Sequence, residues 1–127
     1  MPKEHKLEYA DDNNTITAAD GASFVAINTI ICDEHFRPDF ERMFKSRVGA
    51  IDRMPGFVSM EVLKHYNKGA YLIISRWKDE AAFQGWMNSP AFLEGHRRGF
   101  AEIQRYKSQG DASPLKSDFS TYAILTN

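Results

Sequence analysis

The sequence predicts an α+β fold, a four-stranded antiparallel sheet built in the order βαββαβ with both helices on one face. Three observations predict it. A β-branched and aromatic run, FVAINTII, stands at 24–31. Two further runs of that kind, GFVSMEVLKHY and AYLIISRW, are separated by the turn formers Asn67, Lys68 and Gly69, which makes a hairpin. On either side of the hairpin, apolar residues recur every three or four positions, the period of a helix. A sheet with helices on one face leaves the other bare, so a second copy pressed against it is expected, giving a homodimer closed into an α+β barrel.

The elements follow in order. Residues 1–21 carry charge and turn formers with little to bury and read as a mobile polar tail ahead of a single domain over 22–127. In the first strand Phe24, Ala26, Asn28 and Ile30 share a face. Pro38 suits the first turn of a helix carrying Phe40, Phe44, Val48 and Ile51 on one stripe, ending near Met54 before the Pro55–Gly56 break. After the hairpin, Asp79 is placed to cap a helix EAAFQGWMN, and Ser89 with Pro90 restarts the helix as a second piece. That piece carries Phe92, His96, Phe100 and Ile103 on one stripe and is expected to reach about Lys107. A loop over 108–117 precedes a last strand, DFSTYAILT.

Composition narrows the function classes. A formal charge of -1 offers no field for nucleic acid or an anionic membrane. One cysteine, Cys32, excludes an internal disulfide and a multi-cysteine zinc site and fits a reducing compartment, so the cytoplasm is the expected address. Residues 1–21 hold no apolar stretch of the length a signal sequence or membrane helix requires. Neither G-x-G-x-x-G nor a P-loop occurs, so no flavin, nicotinamide or nucleotide fingerprint is present.

Three residues stand out from an ordinary core. Asn28 lies mid-strand, where an unpaired amide costs about 1–3 kcal/mol. Either a neighbouring backbone group or a buried water satisfies it, or it is a donor aimed at a bound ligand. His96 shares its stripe with Phe92 and Phe100, which turns the imidazole toward the apolar interior, as a core histidine or as an axial iron ligand. No His, Asp or Glu stands three or four residues further along that stripe, so a multi-ligand zinc or non-heme iron site is not suggested. Trp86 is either core or a ring pressed on a flat cofactor, and Trp77 reads as packing.

The phrases MPGFVSMEVL and ISRWKDEAAFQGW resemble the core of the antibiotic biosynthesis monooxygenase superfamily, whose members are ferredoxin-like dimeric α+β barrels, and the likeness covers most of 24–127. Within it the chain is similar to the IsdG-type heme-degrading monooxygenases. Their site is an Asn on the first strand, a Trp on the helix after the third strand, and a His ten residues beyond the Trp. Asn28, Trp86 and His96 stand at the matching places. The resemblance implies heme as substrate and cofactor, His96 as proximal iron ligand, Trp86 forcing the porphyrin out of planarity, and Asn28 donating a hydrogen bond on the distal side. Phe83, Phe92 and Phe100 are expected to line the pocket. Arg97 or Arg98 reads as a propionate contact or as part of a solvated helix face. O2 and electrons from a separate reductase or small reductant would open the ring and release iron. Two alternatives stay open: a cofactor-free monooxygenase of aromatic or quinol-like substrates, and a non-catalytic heme-binding barrel.

Overall fold

The structure, a computed structural model, describes residues 14–45, 49–110 and 113–127; within the helix 90–108 it leaves the side chains of Arg98, Phe100, Glu102, Tyr106 and Lys107 undescribed. The elements are β1 (Phe24–Cys32), α1 (Arg37–Lys45), β2 (Phe57–Lys64), β3 (Ala70–Trp77), α2 (Glu80–Met87), α3 (Pro90–Ser108) and β4 (Leu115–Ala123). They form one four-stranded sheet in the order β2-β3-β1-β4 with every neighbour antiparallel, the ferredoxin-like arrangement, and the second helical unit is split into α2 and α3.

Alternation along β1 decides which face is covered. Ala26, Ile30 and Cys32 are buried on the helix side, together with half-buried Phe24, and they divide into two core clusters. At one end Ile30, Cys32, Phe36, Phe40 and Tyr71 pack together, with Phe44, Ile73 and Leu115 against them. At the other end Ala26, Ile51, Trp77 and Phe83 pack together, joined by Phe24, Phe57, Met60 and Trp86. Burial of each large ring contributes about 1.5–3 kcal/mol. Trp77 is fully buried, and its indole N–H donates to the Ser75 hydroxyl at 2.9 Å. Asn28 sits between the two clusters on the same face of β1.

The helix after β1 is shorter than its stripe suggested. Among the described residues α1 ends at Lys45, Val48 lies outside the described residues, and Gly49 has φ 81° before a 3-10 turn at Ala50–Arg53. A residue in the left-handed region cannot continue a right-handed helix, so Ile51 reaches the core from the 3-10 turn instead. β4 begins at Leu115, inside the stretch read as a loop, because its pairing with β1 extends to Cys32↔Leu115 and the Asp33 N–H donates to the carbonyl of buried Pro114 at 2.9 Å.

Of the stretch read as a mobile tail, residues 1–13 lie outside the described residues. Residues 14–21 pack as a strap. The Ile16 N–H donates to the Ile124 carbonyl at 2.8 Å, Ala18 is buried, and the Asp20 carboxylate accepts from Arg76 at 2.7 and 3.1 Å. Val25, across the ladder from Arg76, is buried on this side of the sheet. Beyond the strap the face turned away from the helices carries Ile27, Thr29, Ile31, Leu63, Leu72 and Ile74, with Ile31 50% and Leu63 43% exposed.

Candidate functional site

Three local devices position the candidate site. Gly56, with φ 79°, ends the Pro55–Gly56 turn; a β-carbon there would stand 2.5 Å from that of Ala82, so the glycine brings α2 close against the start of β2. Asp79 caps α2 by accepting from the Ala82 N–H at 2.8 Å. The Ser89 hydroxyl donates to the Trp86 carbonyl at 2.7 Å and accepts from the Phe92 N–H at 3.1 Å, so one residue closes α2 and opens α3. The expected break at Ser89 is therefore a hydrogen-bonded corner, and it holds Trp86 and Phe92 edge to face with centroids 5.5 Å apart.

From that corner the rings run in sequence. Phe92 meets the His96 imidazole at a centroid distance of 4.1 Å. Trp86 packs against the cluster that contains Phe83. Phe83 is buried against Phe24 and Trp77 and lies nearly parallel to Phe119, at 5.8 Å and 15°. Phe119 is the direct cross-strand partner of Asn28 in the β1–β4 ladder. Asn28 is thus joined through Phe119 and Phe83 to the ring group that ends at His96.

Asn28 carries the most telling detail. Its side-chain oxygen is buried with no hydrogen-bond partner. Among the described residues that oxygen meets no donor, and a buried acceptor left unpaired costs about 1–3 kcal/mol.

His96 is placed differently from the expectation of a core-facing imidazole: its side chain is exposed. The reason is the attachment of α3, which packs on α2 and on the 3-10 turn Ala50–Arg53. The imidazole lies against Phe92 at the end of the ring group. The Phe100 and Arg98 side chains fall outside the described residues. Arg97 is exposed and paired with Glu94 one turn earlier on the same helix. Phe119 was not singled out by sequence reasoning, because its role depends on register with a strand far away along the chain.

A second polar group lies at the other end of the sheet. The Tyr71 hydroxyl donates to Glu41 Oε2 at 2.6 Å, and Lys64 Nζ reaches the same oxygen at 2.7 Å. The Lys64 ammonium and the Tyr71 hydroxyl hold the Glu41 carboxyl below its ordinary range, while burial and the Glu41 carboxylate push the Tyr71 phenol up to about 12. This group borders a cavity of about 390 Å³ beside the hairpin tip, and Asn28, Trp86 and His96 are not among its lining residues.

Comparison with known proteins agrees with this architecture. Residues 23–98 match the family described as antibiotic biosynthesis monooxygenase. The chain belongs to that family. Among antibiotic biosynthesis monooxygenase relatives, the heme oxygenase (mycobilin-producing) of Mycobacterium tuberculosis is 33% identical over 76 residues, spanning 58% of this chain and 72% of the relative. The heme-degrader MhuD from Mycobacterium tuberculosis, solved with two hemes bound in its active site, superposes with a TM-score of 0.58 at 22% identity, covering 82% of this chain and 97% of that one. SnoaB, a cofactor-independent oxygenase from Streptomyces nogalater, superposes with a TM-score of 0.60 at 20% identity, covering 84% of this chain and 97% of that one. At these identities the two solved structures speak for the fold.

Proposed function

We propose that this antibiotic biosynthesis monooxygenase is a heme-degrading oxygenase in which heme is the substrate, with His96 as iron ligand, Trp86 against the macrocycle and Asn28 on the opposite side. The observation that carries the reading is the buried, unpartnered amide oxygen of Asn28 beside a run of aromatic rings that ends in an exposed imidazole. The mycobilin-producing relative supports the choice of substrate.

The residues fit the group. Iron takes a neutral imidazole nitrogen, and His96 presents one ring to solvent with Phe92 behind it. Trp86 and Phe92 offer apolar faces matched to a flat macrocycle, and Phe83, buried among Phe24, Trp77 and Phe119, supports that wall from behind. The ladder holds the Asn28 backbone on the helix-side face, from which its amide would reach the bound molecule. Heme supplies the redox chemistry, with O2 as oxidant and electrons from an external donor. Ring opening then frees the iron. Cys32 is a buried free thiol that burial pushes up to about 11, and a single unpaired cysteine agrees with work in a reducing compartment such as the cytoplasm.

The test is a hemin titration. Wild type is expected to bind with a Soret shift that His96→Ala loses, and reductant in air is expected to bleach the complex and release iron. Normal binding and turnover by His96→Ala would remove the ligand assignment. Oxygen uptake with a phenolic substrate and no affinity for hemin would favour the cofactor-free chemistry, and a heme complex that survives reductant and air unchanged would make the protein a carrier.

The proposal includes a homodimer through the face carrying Ile27, Ile31, Leu63, Leu72 and Ile74. Leu63→Glu places a charge in that apolar surface and is expected to give a monomer by sedimentation equilibrium. A monomeric wild type, or a Leu63→Glu protein that still dimerises, would remove this interface.

A further inference from the structure

We propose that Phe119 is a positioning residue that sets how a flat substrate lies in its plane, and therefore which of its edges meets Asn28; this rests on the heme reading above. Three observations place the ring. Phe119 faces Asn28 directly across the β1–β4 ladder, and side chains at directly opposed positions share a face with β-carbons about 4.5–5.5 Å apart. One side of the Phe119 ring is stacked nearly parallel on Phe83, which is itself fixed by Phe24 and Trp77. Yet Phe119 remains 48% exposed on β4, an edge strand whose side chains are mostly open to water.

Together these give the ring one covered side and one open side. Phe83 takes the first, so the exposed half is the side away from the core. The core uses only the part of the ring that meets Phe83. The exposed part, beside Asn28, is available to a planar molecule, which would continue the parallel series Phe83–Phe119 in offset geometry. The Phe119 ring is anchored on Phe83 and the Asn28 backbone by the ladder, which fixes the spacing of the two positions. With its iron on His96, a macrocycle resting on Phe119 would have its depth and tilt limited, and contact between the ring and unlike edge substituents would favour one in-plane orientation. A porphyrin with unlike edge substituents has four distinct meso carbons, and the one nearest the amide is selected by that placement.

The experiment compares wild type, Phe119→Ile, Phe119→Leu and Phe119→Tyr. The isoleucine keeps a strand-favouring apolar side chain without a ring, the leucine is a second ringless variant should the first fold poorly, and the tyrosine restores the ring. Hemin affinity is read from the Soret band, and the isomers of the opened tetrapyrrole are separated by chromatography with mass detection. Both ringless variants are expected to bind hemin about fivefold more weakly and to spread oxidation over more than one meso position, and Phe119→Tyr is expected to restore the wild-type affinity and isomer pattern. A side chain that merely supported the fold would change thermal stability and leave the isomer pattern alone. If wild type binds and degrades hemin while the ringless variants give the same affinity and isomers, this inference is overturned and the heme reading stands. If wild type takes no hemin, both are overturned.

Discussion

At the scale of single residues, Asn28 shows how a position proposed for function can work against stability. Its buried, unpartnered oxygen costs the ligand-free chain about 1–3 kcal/mol, and an apolar side chain of similar volume would avoid that cost. Asn28→Leu is therefore expected to raise the stability of the ligand-free protein by about 1 kcal/mol while impairing turnover of hemin. A lower urea midpoint for the variant would contradict this account. Asn28 was legible in the sequence because an amide among FVAINTII conflicts with its neighbours, and such a conflict needs no coordinates to notice. Phe119 was not legible, since a phenylalanine in DFSTYA is ordinary for a strand. Its meaning comes from the pairing with Asn28, a relation between distant segments that neither segment encodes locally. His96 was legible as a candidate from its helical stripe, but its exposure was not, because that depends on which neighbours α3 touches.

At the scale of elements, the corner at Ser89 couples the two halves of the second helical unit. Two hydrogen bonds from one hydroxyl join α2 to α3, and α3 packs on α2 and on a 3-10 turn. Ser89→Ala is expected to cost about 1 kcal/mol and to speed amide hydrogen exchange in the first turns of α3, with exchange in β1 and β3 little changed. Equal acceleration across the sheet would show that α3 is not separately anchored. This corner was readable as Ser-Pro after a helical run, and the hairpin and the α2 cap were readable from their turn and cap chemistry. The end of α1 was not, because apolar spacing continues through Val48 and Ile51 while Gly49 reverses the backbone. Spacing reports which face is apolar and is silent about a local change of handedness.

At the scale of the whole molecule, the strap formed by residues 14–21 ties the chain before β1 to the sheet through Asp20 and Arg76. The Arg76 guanidinium holds the Asp20 carboxyl below its ordinary value. A carboxyl lowered in the folded state contributes stability that is present above its unfolded pKa, about 4, and is lost as pH falls through the folded value. Wild type is therefore expected to lose stability below about pH 4 more steeply than Asp20→Asn. Parallel acid profiles for the two proteins would show that the ion pair contributes nothing, as many exposed pairs do.

The strand order has a consequence for how the chain acquires its shape. β2 and β3 are joined by a short turn, whereas central β1 must find β3 across α1 and the hairpin, and then β4 near the far end of the chain: Ala26 pairs with both Ser75 and Thr121. Closing the longer loops costs more entropy before any contact compensates. Kinetic mutational analysis is expected to find the β2–β3 hairpin formed in the rate-limiting ensemble and the β1–β4 seam still open, a result that high values along β4 would refute. The Asn28–Phe119 pair would then be among the last features to assemble, so a nascent chain would complete the proposed substrate-binding surface only after β4 has been synthesised and has docked.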